Sequence, residues 1–80
     1  MTRTEIEEKV KNFMIEDFEI DADAIVPDAL LKEDLEIDSL DYVDIVVIID
    51  REFGFKIKPE EMRTVKTFGQ FCDYIESKIA

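Results

Sequence analysis

The sequence predicts an all-α fold, a small antiparallel bundle of three main helices and one short helix. Three observations carry that expectation. Ile6, Val10, Phe13 and Met14 recur at spacings of four and three, which aligns them on one stripe of an amphipathic helix. A fifteen-residue segment lies between Asp38, a residue type that caps helix starts, and Gly54, one that ends helices. Thr67 and Gln70 stand at capping-box spacing at the head of a second apolar stripe, Phe71, Cys72, Ile75 and Ile79.

The first helix is expected over residues 4–18. Thr4 can cap it, and Glu5, Glu7 and Glu8 suit the positive end of the helix dipole. Phe18 and Ile20 are expected to continue the buried surface. From Glu19 to Ile37 the periodicity breaks at Pro27, leaving a long acidic connection. Connections of this length are usually functional or disordered. Ile25, Val26, Leu30, Leu31 and Leu35 are expected to pin this one to the core, with a short turn of helix at Pro27-Asp28-Ala29-Leu30. The next helix runs from Ser39 to Phe53. Its Val43, Ile45, Val46, Val47, Ile48 and Ile49 would also suit a buried strand over 42–49. The capping residue, the glycine stop and the length favour helix. A helix apolar on nearly all sides cannot hide in so small a domain, so part of it must face water or a partner. Pro59 sits at a first-turn position of a short third helix, and the last helix is expected to end near Ala80.

Eighty residues make one domain, residues 1–80. No histidine is present and Cys72 is the only cysteine, which excludes the usual zinc spacings and any histidine-activated nucleophile. Only Gly54 and Gly69 are glycines, so no glycine-rich phosphate loop exists. Cys72, on the apolar stripe of the last helix, reads as a buried core thiol. Acids spaced from Asp17 to Asp28 and from Asp34 to Asp38 resemble calcium loops. The glycine required at the sixth position is Ala22 or Ser39, and the glutamate required at the twelfth is Asp28 or Ile45. Both loops fail, and no metal site or catalytic residue is expected. No apolar run suits a secretion signal or a membrane span, which points to the cytoplasm.

Twenty-one acids against ten bases give a net charge of −11. Twelve of the acids and one base fall between Glu16 and Asp44. Such a chain is repelled by nucleic acid and anionic lipid and suits basic protein surfaces as partners. The bland reading of the same run is a solvated face.

Asp38-Ser39-Leu40 stands at the head of the apolar helix. Alone, the triplet is ordinary capping chemistry. Its surroundings, Glu33-Asp34-Leu35-Glu36-Ile37-Asp38-Ser39-Leu40-Asp41-Tyr42-Val43-Asp44, resemble the attachment motif of acyl carrier proteins, and Thr67-Phe68-Gly69-Gln70 with Asp73-Tyr74-Ile75 resembles that family's last-helix motif. The resemblance covers essentially the whole chain. It implies that Ser39 receives 4′-phosphopantetheine from coenzyme A, flanked by Asp38 and Leu40, and that the chain carries acyl groups as thioesters without catalysis of its own. It further implies that Asp38, Asp41, Asp44 and Asp50, around an apolar centre of Leu40 and Val47, dock on basic surfaces. Those would belong to a phosphopantetheinyl transferase (holo-carrier synthase) and to acyl-processing enzymes such as ketoacyl synthases in fatty-acid, lipid or polyketide biosynthesis. A monomer is implied as well. Ile45, Ile49 and Phe53 are expected to face the core and could line a space for an acyl chain.

Two positions depart from the family pattern. Glu36 stands where glycine is common, which is expected to stiffen or re-aim the loop ahead of Ser39. Arg51 stands where an acid is usual and dilutes the acidic face. Together they point to a specialised carrier rather than the general fatty-acid one. Two other readings stay open on the residues alone: an unmodified helical domain that binds a basic partner, and a divalent-ion-binding helical protein.

Overall fold

The computed structural model describes residues 2–79, with position 39 described in its backbone only. Among the described residues there are four α-helices: α1 (Arg3–Phe18), α2 (Ser39–Phe53), α3 (Pro59–Met62) and α4 (Phe68–Ile79). A 3-10 turn at Ala22–Ala24 interrupts the α1–α2 connection. The end of the last helix expected near Ala80 lies outside the described residues.

α1 begins two residues earlier than its Thr4 cap would allow. Thr2 is the cap instead, its side chain accepting from the Glu5 N–H at 3.2 Å while Glu5 Oε1 accepts from the Thr2 N–H at 3.1 Å. The physical reason is the availability of the reciprocal carboxylate. A box opened by Thr4 would need Glu7, and Glu7 is held by Arg3 Nε at 2.9 Å. Burial and the stripe agree: Ile6, Val10, Phe13 and Met14 are all buried. They pack on α4, whose buried side chains are Phe68, Phe71, Cys72 and Ile75. Phe18 and Ile20 are half-buried against the same core.

Arg3 fastens the α1–α4 pair. Besides Glu7 it reaches Asp73, Glu76 at 3.5 Å and the carbonyl of Gly69 at 3.2 Å. The hydrogen bond to Asp73 is the main reason the guanidinium is held above its ordinary pKa.

The connection between α1 and α2 does not form helix at Pro27–Leu30. Its backbone pairs instead with the segment entering α4. The Leu31 N–H donates to the Lys66 carbonyl at 2.9 Å, Phe68 N–H to the Ala29 carbonyl at 2.9 Å, and Gly69 N–H to the Pro27 carbonyl at 2.9 Å. An antiparallel bridge between Leu30 and Thr67 joins the two segments. Backbone groups committed to these partners cannot also close helical turns. Ile25, Leu31 and Leu35 are buried as expected, whereas Val26 and Leu30 are exposed. Glycine fits closely at position 69, because a Cβ there would lie 3.0 Å from the Pro27 carbonyl oxygen and would press on it.

α3 is one turn long and is tied to α4 through Glu61. Its carboxylate accepts from the Tyr74 hydroxyl at 3.0 Å and from Lys78 Nζ at 3.0 Å. Those two hydrogen bonds, that of Lys78 being the stronger influence, hold the Glu61 carboxyl below its usual pKa. Phe55 meets the Tyr74 ring edge-on at 6.1 Å between centroids. Thr67 and Gln70 close the capping box on α4, Gln70 N–H donating to Thr67 Oγ1 at 3.1 Å and Thr67 N–H to Gln70 Oε1 at 3.3 Å.

Candidate functional site

α2 positions the site, and local chemistry fixes both of its ends. Asp38 caps the start: one carboxylate oxygen accepts from the Leu40 N–H at 2.9 Å and the Asp41 N–H at 3.1 Å. Asp41 Oδ2 returns a bond from the Asp38 N–H at 3.1 Å, completing a capping box. Gly54 closes the other end at φ 77°, a left-handed conformation that glycine adopts without steric cost.

Position 39 is therefore the first residue of a fifteen-residue helix. The Ser39 hydroxyl lies outside the described side chains. The N–H groups of Leu40 and Asp41 are taken by Asp38 and so are not open to a phosphate on Ser39. What the helix start offers a phosphate is its dipole, partly offset by the Asp38 carboxylate.

Glu36 adopts φ 56°, the left-handed conformation in which a side chain is strained. Its neighbours explain why. Leu35 and Ile37 are both buried, and the Leu35 and Ile37 N–H groups bond the Leu30 and Leu31 carbonyls at 3.0 and 2.9 Å. The turn at Glu36 lets both side chains point inward just before the chain opens into the Asp38 cap.

α2 has a buried face and an exposed one, with Val43 shared between the exposed stripe and a neighbouring cleft. Ile45, Ile48 and Ile49 are buried and Phe53 is half-buried against the core. Leu40, Val43 and Val47 leave 78%, 64% and 61% of their surface exposed, an apolar patch open to solvent. They lie at spacings of three and four, one stripe along the helix. Leu40 and Val47 stand out in the sequence reading, but Val43 does not, although its spacing from both would have found it. Asp44 and Asp50 are exposed beside the stripe, as is Arg51, whose nearest carboxylate is Glu52 at 3.8 Å. Asp41 is half-buried and engaged in the cap.

An apolar cleft of about 580 Å³ opens on the adjacent side of α2. Tyr42, Val43 and Val46 form one wall, with Leu30, Leu31, Pro59, Met62 and Val65 opposite. Ile45, Ile49 and Phe53 do not line it, because they are turned into the core. Positions 39, 42, 43 and 46 form a single i, i+3, i+4, i+7 row, so the cleft begins one turn along α2 from Ser39. Burial pushes the Tyr42 phenol above its ordinary pKa.

Among the described residues, no three acids or cysteines are grouped to hold a metal ion. None of the described helices is long and apolar enough to cross a membrane.

Comparison with known proteins decides the family. The family model for a phosphopantetheine attachment site matches residues 8–75. The chain belongs to the acyl carrier protein family. It is 39% identical over 80 residues to the acyl carrier protein of Thermosynechococcus vestitus, covering 100% of this chain and 99% of that one. It is likewise 39% identical to acyl carrier protein 2 of Ralstonia nicotianae, with the same coverage. The solved structure of the acyl carrier protein from Enterococcus faecalis, described for its high thermal stability, is similar with a TM-score of 0.78. That match has 35% identity and covers 96% of this chain and 98% of the other.

As a member of this family the protein is a non-catalytic carrier of acyl groups, held as thioesters on a covalently attached 4′-phosphopantetheine. The family's members interact with a phosphopantetheinyl transferase and with biosynthetic enzymes. The site residues fit that group. A helix start with an exposed Leu40 and Asp38 leaves room for a long arm, and an apolar cleft lies within one helical turn.

Proposed function

We propose that Ser39 is the attachment point of the arm, and that residues 1–80 work as one carrier unit. The observation that carries this reading is the helix start itself: position 39 opens α2 between an exposed acid and an exposed leucine, in the Asp-Ser-Leu order. The arm supplies a thiol on a flexible tether, and the chain's own residues anchor, orient and shelter it. Asp38 holds the first turn rigid. The row of Tyr42, Val43 and Val46 leads from the attachment point into the cleft, which receives the first carbons of the cargo.

Docking uses the neighbouring stripe. Leu40, Val43 and Val47 provide the apolar centre, with Asp44 and Asp50 as free acids at its side. Asp41 contributes mainly by holding the cap. The partners on this reading are a phosphopantetheinyl transferase and basic surfaces of enzymes such as ketoacyl synthases, visited by a monomer. Contacts of this kind gain more in encounter rate than in affinity. The cytoplasm, where coenzyme A is available to donate the arm, is the compartment this reading implies.

The docking face is tested by transferase kinetics on Asp44→Asn and Asp50→Asn, against Asp23→Asn, which removes the same charge outside α2. Each α2 substitution is expected to raise KM about twofold to fivefold, the size of an exposed ion pair, with the difference shrinking in salt. If Asp44→Asn and Asp50→Asn behave like Asp23→Asn, these acids serve solubility and not docking.

A further inference from the structure

The charge of this chain inverts from the last turn of α2 onward. Between Glu16 and Asp44 one base stands among twelve acids, yet from Arg51 to Lys66 five bases face three acids. The fold brings the end of that basic segment to the apolar cleft, whose charged lining residues are Lys32, Glu33, Arg63 and Lys66. Three bases and one acid make the lining cationic in a protein of net charge −11. These bases are not spent on internal ion pairs. The described ion pairs engage Arg3, Lys9, Arg51 and Lys78, and among the described residues Lys32, Arg63 and Lys66 have no carboxylate partner. All three are exposed. The walls between them are apolar and belong to Tyr42, Val43, Val46, Met62 and Val65.

We infer that the cleft is built for an acyl group that carries a negative charge of its own, a carboxyacyl chain whose methylenes lie along the apolar walls and whose free carboxylate meets Arg63, Lys66 and Lys32. This rests on the reading that the cleft seats the cargo. Charge complementarity and tethering select this occupant. A carboxylate-bearing chain would be repelled by the acid-rich start of α2 and is stabilised at this rim of opposite sign. Because the chain is tethered, through the flexible arm, to a residue one turn from the cleft, its effective concentration there is high, and a weak contact suffices to bias it. Keeping the charge at an exposed rim avoids the desolvation that burying it in the cleft would impose. A planar guanidinium at position 63 suits a carboxylate, which it can bind through two parallel N–H groups.

The test compares the full-length protein loaded with octanoyl- and with suberyl-phosphopantetheine, the same chain ending in a carboxylate, each transferred from its coenzyme A thioester. The readout is the rate of thioester cleavage by hydroxylamine, referred to the matching free pantetheine thioester, with backbone amide shifts at residues 62–66 followed in parallel. The suberyl thioester is expected to be protected about threefold to tenfold better than the octanoyl one, the range of one or two partly exposed charge contacts. That ratio should fall toward unity in Arg63→Gln/Lys66→Gln and in high salt. Equal or better protection of octanoyl, or a ratio unchanged by the double substitution, overturns the inference while leaving the cleft as the seat of cargo. Cleavage of both at the rate of their free thioesters removes the cleft reading and this inference with it. Shifts at residues 62–66 that are already complete in the unacylated holo-protein would assign the bases to the phosphate of the arm, and would also overturn it.

Discussion

Replacing Glu36 by glycine should stabilise this protein, although glycine substitutions usually do the reverse. Glu36 sits at φ 56°, where an L side chain crowds its own carbonyl. That conformation costs roughly 1–2 kcal/mol for a residue with a Cβ. Glycine removes the cost but adds roughly 0.5–1 kcal/mol of backbone entropy to the unfolded state. The difference is a gain of about 0.5–1 kcal/mol, which for a domain of this size raises Tm by about 2–8 °C. Removing a negative charge from a chain at −11 also helps, so the steric contribution needs a control. Glu36→Ala removes the same charge and keeps the Cβ. Glu36→Asn removes it too, with a side chain that tolerates the left-handed region better. Scanning calorimetry should rank stability as glycine, then asparagine, then alanine. A Glu36→Gly protein no more stable than Glu36→Ala would refute the claim that strain is stored ahead of the attachment site.

Gly69→Ala should destabilise by about 1–2 kcal/mol in chemical denaturation. Its Cβ would press on the Pro27 carbonyl at 3.0 Å, a backbone atom itself bound to the Gly69 N–H, and this overpacking outweighs the helix propensity that alanine gains; an unchanged midpoint would mean that the loop yields freely. Cys72 should resist thiol reagents at pH 8 in the native protein, because burial pushes its thiol up to about 12. The sign follows from proton binding. Above the ordinary thiol pKa, near 8.5, the unfolded chain releases this proton while the folded one keeps it, so the thiol's contribution to stability is lost between about pH 9 and 12. Rapid labelling of native protein at pH 8 would contradict the burial.

Much of α2 was legible because its signals are local. Asp38, Asp41 and Gly54 each act on backbone groups within a few residues, so the order of residue types fixes the helix ends. The same holds for Thr67 and Gln70. The α1–α2 connection was not legible in that way. Its course is set by hydrogen bonds from Leu31 to Lys66, from Phe68 to Ala29 and from Gly69 to Pro27, partners far apart in the chain. Nothing local to Pro27–Leu30 announces that its carbonyls are claimed by α4. Arg3 escaped notice for the same reason, since Asp73 and Glu76 become its partners only when α1 and α4 pack.

At the site, Ser39 and two members of the exposed stripe, Leu40 and Val47, were legible from the resemblance of the motif around Asp38-Ser39-Leu40, and the cleft was not. α2 is apolar on nearly all sides; Ile45, Ile49 and Phe53 turn into the core as expected, but which of the remaining apolar residues would line a cleft depends on where α3 packs. Packing resolves it: Ile45 and Ile49 fill the core, and Tyr42, Val43 and Val46 are left to face α3. The unusual residue at position 36 was visible in the sequence, but its consequence was not. Glu36 takes the left-handed conformation itself, held there by the burial of Leu35 and Ile37 on either side.

The central claim, that Ser39 carries the arm, is tested most directly by intact mass after incubation with coenzyme A and a broad-specificity phosphopantetheinyl transferase. Ser77 is the only other serine, and its hydroxyl donates to the Tyr74 carbonyl at 2.7 Å on α4, so it is the natural control. Wild type and Ser77→Ala should each gain one phosphopantetheine, located on the tryptic peptide 33–51, and folded Ser39→Ala should gain none. A gain that persists in Ser39→Ala, or no gain in wild type that begins unmodified, would contradict the account.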